Sequence, residues 1–127
     1  MRHRSEDGAI VAESAMIIAL VTLLCGIILQ IGVIIYTKNT MIDVASAGAR
    51  HAALADRSLT DGQHRTVTLL TESVPNARSA RVEVKRSPDG ERIMVTVTHR
   101  LPILGFVTGP IPLSATAQAY DLTPTPR

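Results

Sequence analysis

A carboxylate in apolar surroundings is the first feature of this sequence that could do chemistry. Glu13 follows Gly8-Ala9-Ile10-Val11-Ala12 and precedes a long stretch without charge, so membrane-compatible residues flank it on both sides. A charged side chain at the centre of a bilayer costs about 2.5–3.5 kcal/mol on insertion scales, and less near an interface. Glu13 therefore either holds its carboxylate among lipid headgroups or meets a cation from another subunit. The second option has a specific source of charge. If the chain is cut after Gly8, Ala9 becomes a free amine and Glu13 the fifth residue. An amine and a carboxylate one helical turn apart are complementary between axially shifted neighbours, and their attraction is large where the dielectric is low.

The other reactive residue types are dispersed. His3, His51, His64 and His99 show no short zinc-ligand spacing and read as surface or packing residues. Cys25 is the single cysteine and lies inside the apolar run, so no disulfide can form within the chain. It reads as a small lipid-facing or packing side chain. No phosphate loop, nucleophile elbow or pair of carboxylates in an apolar setting occurs, so neither catalysis nor a cofactor, metal or small-molecule substrate is expected. The net charge is +2, but the basic residues alternate with acids through Arg81, Glu83, Lys85, Arg86, Asp89, Glu91 and Arg92. That mixture describes a solvated sheet face. A nucleic-acid surface needs a basic stripe with stacking aromatics, and Phe106, Tyr36 and Tyr120 are the only aromatics here.

The element that must position Glu13 is a spanning helix. Residues 14–36 read SAMIIALVTLLCGIILQIGVIIY, with no formal charge. At about 1.5 Å per residue they extend roughly 34 Å, enough for a hydrocarbon layer of about 30 Å. A cleaved secretory signal has a shorter apolar region, about 7–15 residues, ending at small residues. The nearest such site, Ala45-Ser46-Ala47, lies beyond the polar Thr37-Lys38-Asn39-Thr40, and Leu24 before Cys25 does not suit a lipoprotein signal. Arg2 and Arg4 before the run and Lys38 after it favour a cytoplasmic N-terminus, although Glu6 and Asp7 adjoin them.

Beyond Tyr36, Met41, Ala45, Gly48, Ala49, Ala52 and Ala53 recur at three-to-four spacing and predict a helix over 37–55. Its small-residue face suits a thin sheet within one chain, or close packing against neighbours in an assembly. Ser58-Leu59-Thr60-Asp61 resembles a capping box opening a helix over 60–73, which Pro75-Asn76 stops. The period then changes to two. Ala80, Val82 and Val84 precede the turn Ser87-Pro88-Asp89-Gly90, and Ile93, Val95 and Val97 follow it, predicting a hairpin of strands at about 79–86 and 91–100. A loop holding Phe106 runs from Pro102 to Pro112, and alternation through Leu113, Ala115, Ala117 and Ala119 predicts a third strand at about 112–120. The tail 123–127, with Pro124 and Pro126, is expected to be disordered. The expected fold class is α+β, a long N-terminal transmembrane helix extending into a small domain with a three-stranded antiparallel sheet.

Two levels of resemblance follow from these residues. Gly8-Ala9-Ile10-Val11-Ala12-Glu13, the polar MRHRSED before it and the apolar helix after it are similar to the class III signal of type IV pilins and pseudopilins. Residues 8–54, with Gly32, Tyr36 and the segment Ala47-Gly48-Ala49-Arg50-His51-Ala52-Ala53, resemble the TadE-like family of the tight-adherence pilus system. Ser14 departs from the aromatic common there, and Gln30 stands where many relatives place an acid. The resemblance implies a pilin-like layout with a leader at 1–8, a transmembrane helix at 9–36, a soluble region at 37–122 and a prepilin-peptidase bond between Gly8 and Ala9. It also implies a subunit-assembly role for Glu13, and as partners the inner membrane, the peptidase, other pilin or pseudopilin subunits and the assembly machinery. Two other readings stay open: an uncleaved single-pass binding module, and an accessory subunit of a protein secretion complex.

Overall fold

The computed structural model describes residues 2–54, 56–74, 76–101 and 110–122. The expected loop around Phe106 and the expected tail at 123–127 lie outside them. A single helix, α1 (Arg2–Ala52), runs without a break through the expected leader, apolar run and following amphipathic stretch. No proline interrupts this range, and Arg50 and His51 in its last turn complement the negative end of the helix dipole. The helix stops three residues short of the expected boundary. Leu122 N–H donates to the Ala53 carbonyl at 2.9 Å and so takes the acceptor that another helical turn would use.

The chain divides into two compact units, residues 1–33 and 34–127. The first is helix throughout its described residues, and its described side chains from Arg4 on are exposed apart from the partly covered Gln30. By length and composition α1 is long and apolar enough to cross a membrane.

The second unit carries the sheet. Strands β1 (Arg81–Arg86), β2 (Arg92–Leu101) and β3 (Ile111–Tyr120) pair antiparallel in the order β1-β2-β3, with Val84 opposite Val95 and Val97 opposite Ala115. Alternation turns Ile93, Val95, Val97 and Leu101 of β2 inward. Val95, Val97 and Leu101 meet Met41, Val44, Ala45 and Ala49 of α1 together with Leu70 and Val74, and Ile93 meets Ala52 and Ala53, giving the α+β arrangement expected. At the hairpin, Gly90 takes a φ of 74° that other residues avoid, and its N–H donates to Ser87 O at 2.8 Å. Asp89 Oδ1 accepts from Glu91 N–H at 3.0 Å, and this bond holds the Asp89 carboxyl below its ordinary range.

β3 begins at Ile111, before the end of the loop read from the sequence, and includes Pro112. The Ser114 carbonyl accepts from Lys38 Nζ and so faces the free side of the sheet. Pro112, two residues away, faces the same side, where a missing N–H costs no ladder bond.

Helix α2 (Leu59–Ser73) opens with the capping box that its sequence signals. Ser58 Oγ accepts from Asp61 N–H at 3.2 Å, while Asp61 Oδ2 accepts from Ser58 N–H at 2.8 Å and holds its own carboxyl below the ordinary value. Ser58→Ala removes the acceptor and is expected to destabilise this helix by about 1 kcal/mol. Faster amide hydrogen exchange confined to the first turn of α2 would show it, and unchanged exchange would argue that the cap contributes nothing.

Candidate functional site

Gly8, Ala9 and Glu13 all fall within α1 and are exposed in the single chain. Ala9 and Glu13 are four residues apart, so they share one helix face at a rise of about 6 Å. The Glu13 side chain has no ion-pair partner among the described residues. A β-carbon added at Gly8 would touch nothing within 4 Å, so packing within the chain does not demand glycine there. Its effect is on the backbone: glycine weakens a helix by about 1 kcal/mol relative to alanine. Gly8 therefore makes this turn of α1 easier to unwind than alanine would.

Cys25 is a free, exposed thiol on the apolar run. Among the described residues no three His, Cys, Asp or Glu side chains are grouped to hold a metal ion. The histidines separate: His64 is exposed on α2, His51 is half-buried in the last turn of α1, and His99 is 1% exposed on β2. Among the described residues neither ring nitrogen of His99 has a hydrogen-bond partner, and burial pushes its imidazole below its ordinary value. Its inward position was readable, because 99 shares parity with Ile93, Val95, Val97 and Leu101.

The small-residue stripe of α1 has a definite partner within the chain. A β-carbon on Gly48 would lie 1.8 Å from Thr66 Oγ1, and one on Gly62 would lie 2.3 Å from Ala52 Cβ. Thr66 is fully buried, with its hydroxyl donating to Gly62 O at 2.7 Å. Gly48 and Ala52 of one helix thus admit Gly62 and Thr66 of the other at backbone distance. Ala45 and Ala49 enter the core shared with Val95, Val97 and Leu70.

One apolar helix long enough to cross a membrane, followed by a small α+β unit, defines the class of protein. Within that class, the family described as TadE-like protein matches residues 8–50, about a third of the chain, and the resemblance read from the sequence holds over that stretch. No curated protein and no solved structure matches the chain. The TadE-like family is structural and associated with the tight-adherence pilus, and the match points this chain to that association.

Proposed function

We propose that this chain is a minor pilin or pseudopilin-type structural component of a tight-adherence pilus or a related secretion system. In this reading α1 spans the inner membrane with its N-terminus in the cytoplasm, as Arg2 and Arg4 favour, and the sheet-bearing unit lies outside. A prepilin peptidase cuts between Gly8 and Ala9. The new amine of one subunit then neutralises Glu13 of another. The observation that carries the reading is that the TadE-like match begins at Gly8 and runs through the apolar helix bearing Glu13, which has no ion-pair partner among the described residues.

Mass spectrometry of the membrane-extracted protein tests it. Loss of residues 1–8 in cells that contain the peptidase is the expected result. An intact N-terminus there would remove the pilin reading and leave an uncleaved anchored binding module. Co-purification with a filament, as against a platform complex, separates a pilus subunit from a secretion accessory.

Glu13→Ala is expected to leave membrane insertion intact or improved, because a desolvation cost disappears. Incorporation into filaments, measured by immunoblotting sheared fractions against total membrane protein, should fall. Equal incorporation of variant and wild type would contradict the assembly role.

A further inference from the structure

We propose that the outer face of the sheet binds a carboxylated polysaccharide, one sugar ring of which sits in a recess between Arg92, Gln118 and Tyr120. The inference goes beyond the pilus reading and does not depend on α1 entering a membrane. It starts from which surfaces of the sheet are free. The inward residues of the strands meet α1 and α2 in the core, and both edges carry side-chain contacts. On the β1 side Gln63 Nε2 of α2 donates to the Val82 carbonyl at 3.3 Å, and on the β3 side Lys38 Nζ donates to the Ser114 carbonyl. The outer face is open. Its side chains are exposed on β1, at Arg81, Glu83 and Lys85, and on β3, at Ser114, Thr116 and Gln118, with Thr96 and Thr98 half-buried between them.

The register sorts the mixed charges of this region. Arg81, Lys85, Arg92 and Arg100 share the outer face, where the acid of the strands is Glu83, paired with Lys85. Arg81 lies level with Thr98 and Ser114, Lys85 with Met94 and Gln118, and Arg92 with Tyr120. Cations therefore recur along a strip about 27 Å long, from Arg92 to Arg100, and about 10 Å wide. Such a strip suits a linear anion. Its centre is Thr96, Thr98, Ser114 and Thr116, with the Thr96 and Thr116 hydroxyls 3.2 Å apart, and each hydroxyl can both donate to and accept from a sugar hydroxyl. A protein partner calls for a large anchor in that centre, and a nucleic acid for successive stacking rings. Among the described residues the centre has neither.

At the Tyr120 end a recess of about 160 Å³ is lined by Arg92, Gln118, Ala119 and Tyr120. That is well below the volume of about 300–1,000 Å³ of sites for drug-sized ligands, and it fits one ring of a polymer. Arg92 Cζ lies 5.3 Å from the centre of the Tyr120 ring, a cation–π contact that holds the guanidinium in place. Among the described residues no carboxylate pairs with Arg92. Its N–H fork is then available to a carboxylate, whose two oxygens it matches. Asp89 and Glu91 are the acids nearest to it in sequence, and the Asp89 carboxylate is committed to the turn through Glu91 N–H at 3.0 Å and the Ser87 hydroxyl. The Gln118 amide adds a donor and an acceptor for ring hydroxyls.

The test uses the full chain in a zwitterionic detergent and a fluorescein-labelled oligogalacturonate, with binding followed by fluorescence anisotropy over a series of salt concentrations. The expected result is saturable binding that weakens as salt rises, and none to a labelled dextran fragment of the same length. Arg92→Gln, Tyr120→Ala and the pair Arg81→Gln with Arg100→Gln should each weaken it by about tenfold or more, the range for charge-assisted hydrogen bonds. These side chains are exposed, so the far-UV circular dichroism of each variant should match the wild type. Arg65→Gln, which removes an exposed cation from α2, should leave affinity unchanged. No binding at millimolar oligogalacturonate, or an equal loss from Arg65→Gln, overturns the inference. Equal affinity for a labelled oligoglutamate overturns the saccharide in favour of an acidic peptide, and tighter binding of single-stranded DNA overturns it in favour of a nucleic acid.

Discussion

Gly48→Ala is expected to destabilise the sheet-bearing unit by about 1–3 kcal/mol, the range for overpacking a close contact. The added carbon would sit 1.8 Å from Thr66 Oγ1 and 3.0 Å from Thr66 Cβ. Thr66 has no open space to retreat into, being fully buried and bonded to Gly62 O. The helices must therefore separate, and separation loosens Leu70 and Val74 from the core they share with Met41 and Val44. In an uncrowded helix the same change stabilises, by up to about 1 kcal/mol, so the sign alone decides whether this crossing exists. Adding Thr66→Ala removes the nearest atom, and the double variant should lose less than the sum of the single changes. Hydrogen exchange across residues 59–73 in rising urea measures all three. Stabilisation by Gly48→Ala would show that the helices do not meet here.

His99→Leu is expected to stabilise the same unit by about 1–3 kcal/mol at neutral pH, because it removes buried polar atoms that have no partner among the described residues. Around His99, β2 contributes Val97 and Leu101, and Leu113 is its register partner on β3, so the site is already apolar. The larger signature is in the pH dependence. Burial holds the folded-state imidazole below its ordinary value of 6.5, so the unfolded chain takes up a proton first. Stability from neutral His99 is then fully present above 6.5 and declines as pH falls below it toward the depressed folded-state value. Asp61 and Asp89 act in a separate window, since their lowered carboxyls contribute above the ordinary 3.8 and lose that contribution only as pH falls through it. Urea titrations between neutrality and about pH 5 should therefore slope for the wild type and flatten for His99→Leu. Parallel profiles for the two proteins would show that His99 does not titrate from a buried state.

Local signals in the chain were strong enough to specify most elements before any packing was considered. The uncharged residues 14–36 demand a helix if they enter lipid, the Ser58 and Asp61 pair opens α2, and Gly90 follows Asp89 where the hairpin turns. Each rests on a period or a cap acting over a few residues, which is why a linear reading recovers it. The spacing of Gly8, Ala9 and Glu13 was equally legible, because helical geometry alone puts Ala9 and Glu13 on one face.

Contacts across long sequence separations are of another kind. That Gly48 admits Thr66, that Lys38 reaches Ser114 and that Leu122 bonds the Ala53 carbonyl just past the end of α1 all depend on how the second unit closes on itself. Pro112 joins a strand only because β3 is the last in the sheet and offers a side that needs no donor. The small stripe of α1 was compatible with a sheet, a neighbouring subunit or another helix, since close approach requires only the absence of side-chain atoms. Folding put Ala45 and Ala49 into the core shared with Val95, Val97 and Leu70, set Gly48 against Thr66 of α2, and left Ala52 between Gly62 of α2 and Ile93 of β2, because the short link from Ala52 to Leu59 returns α2 along that side.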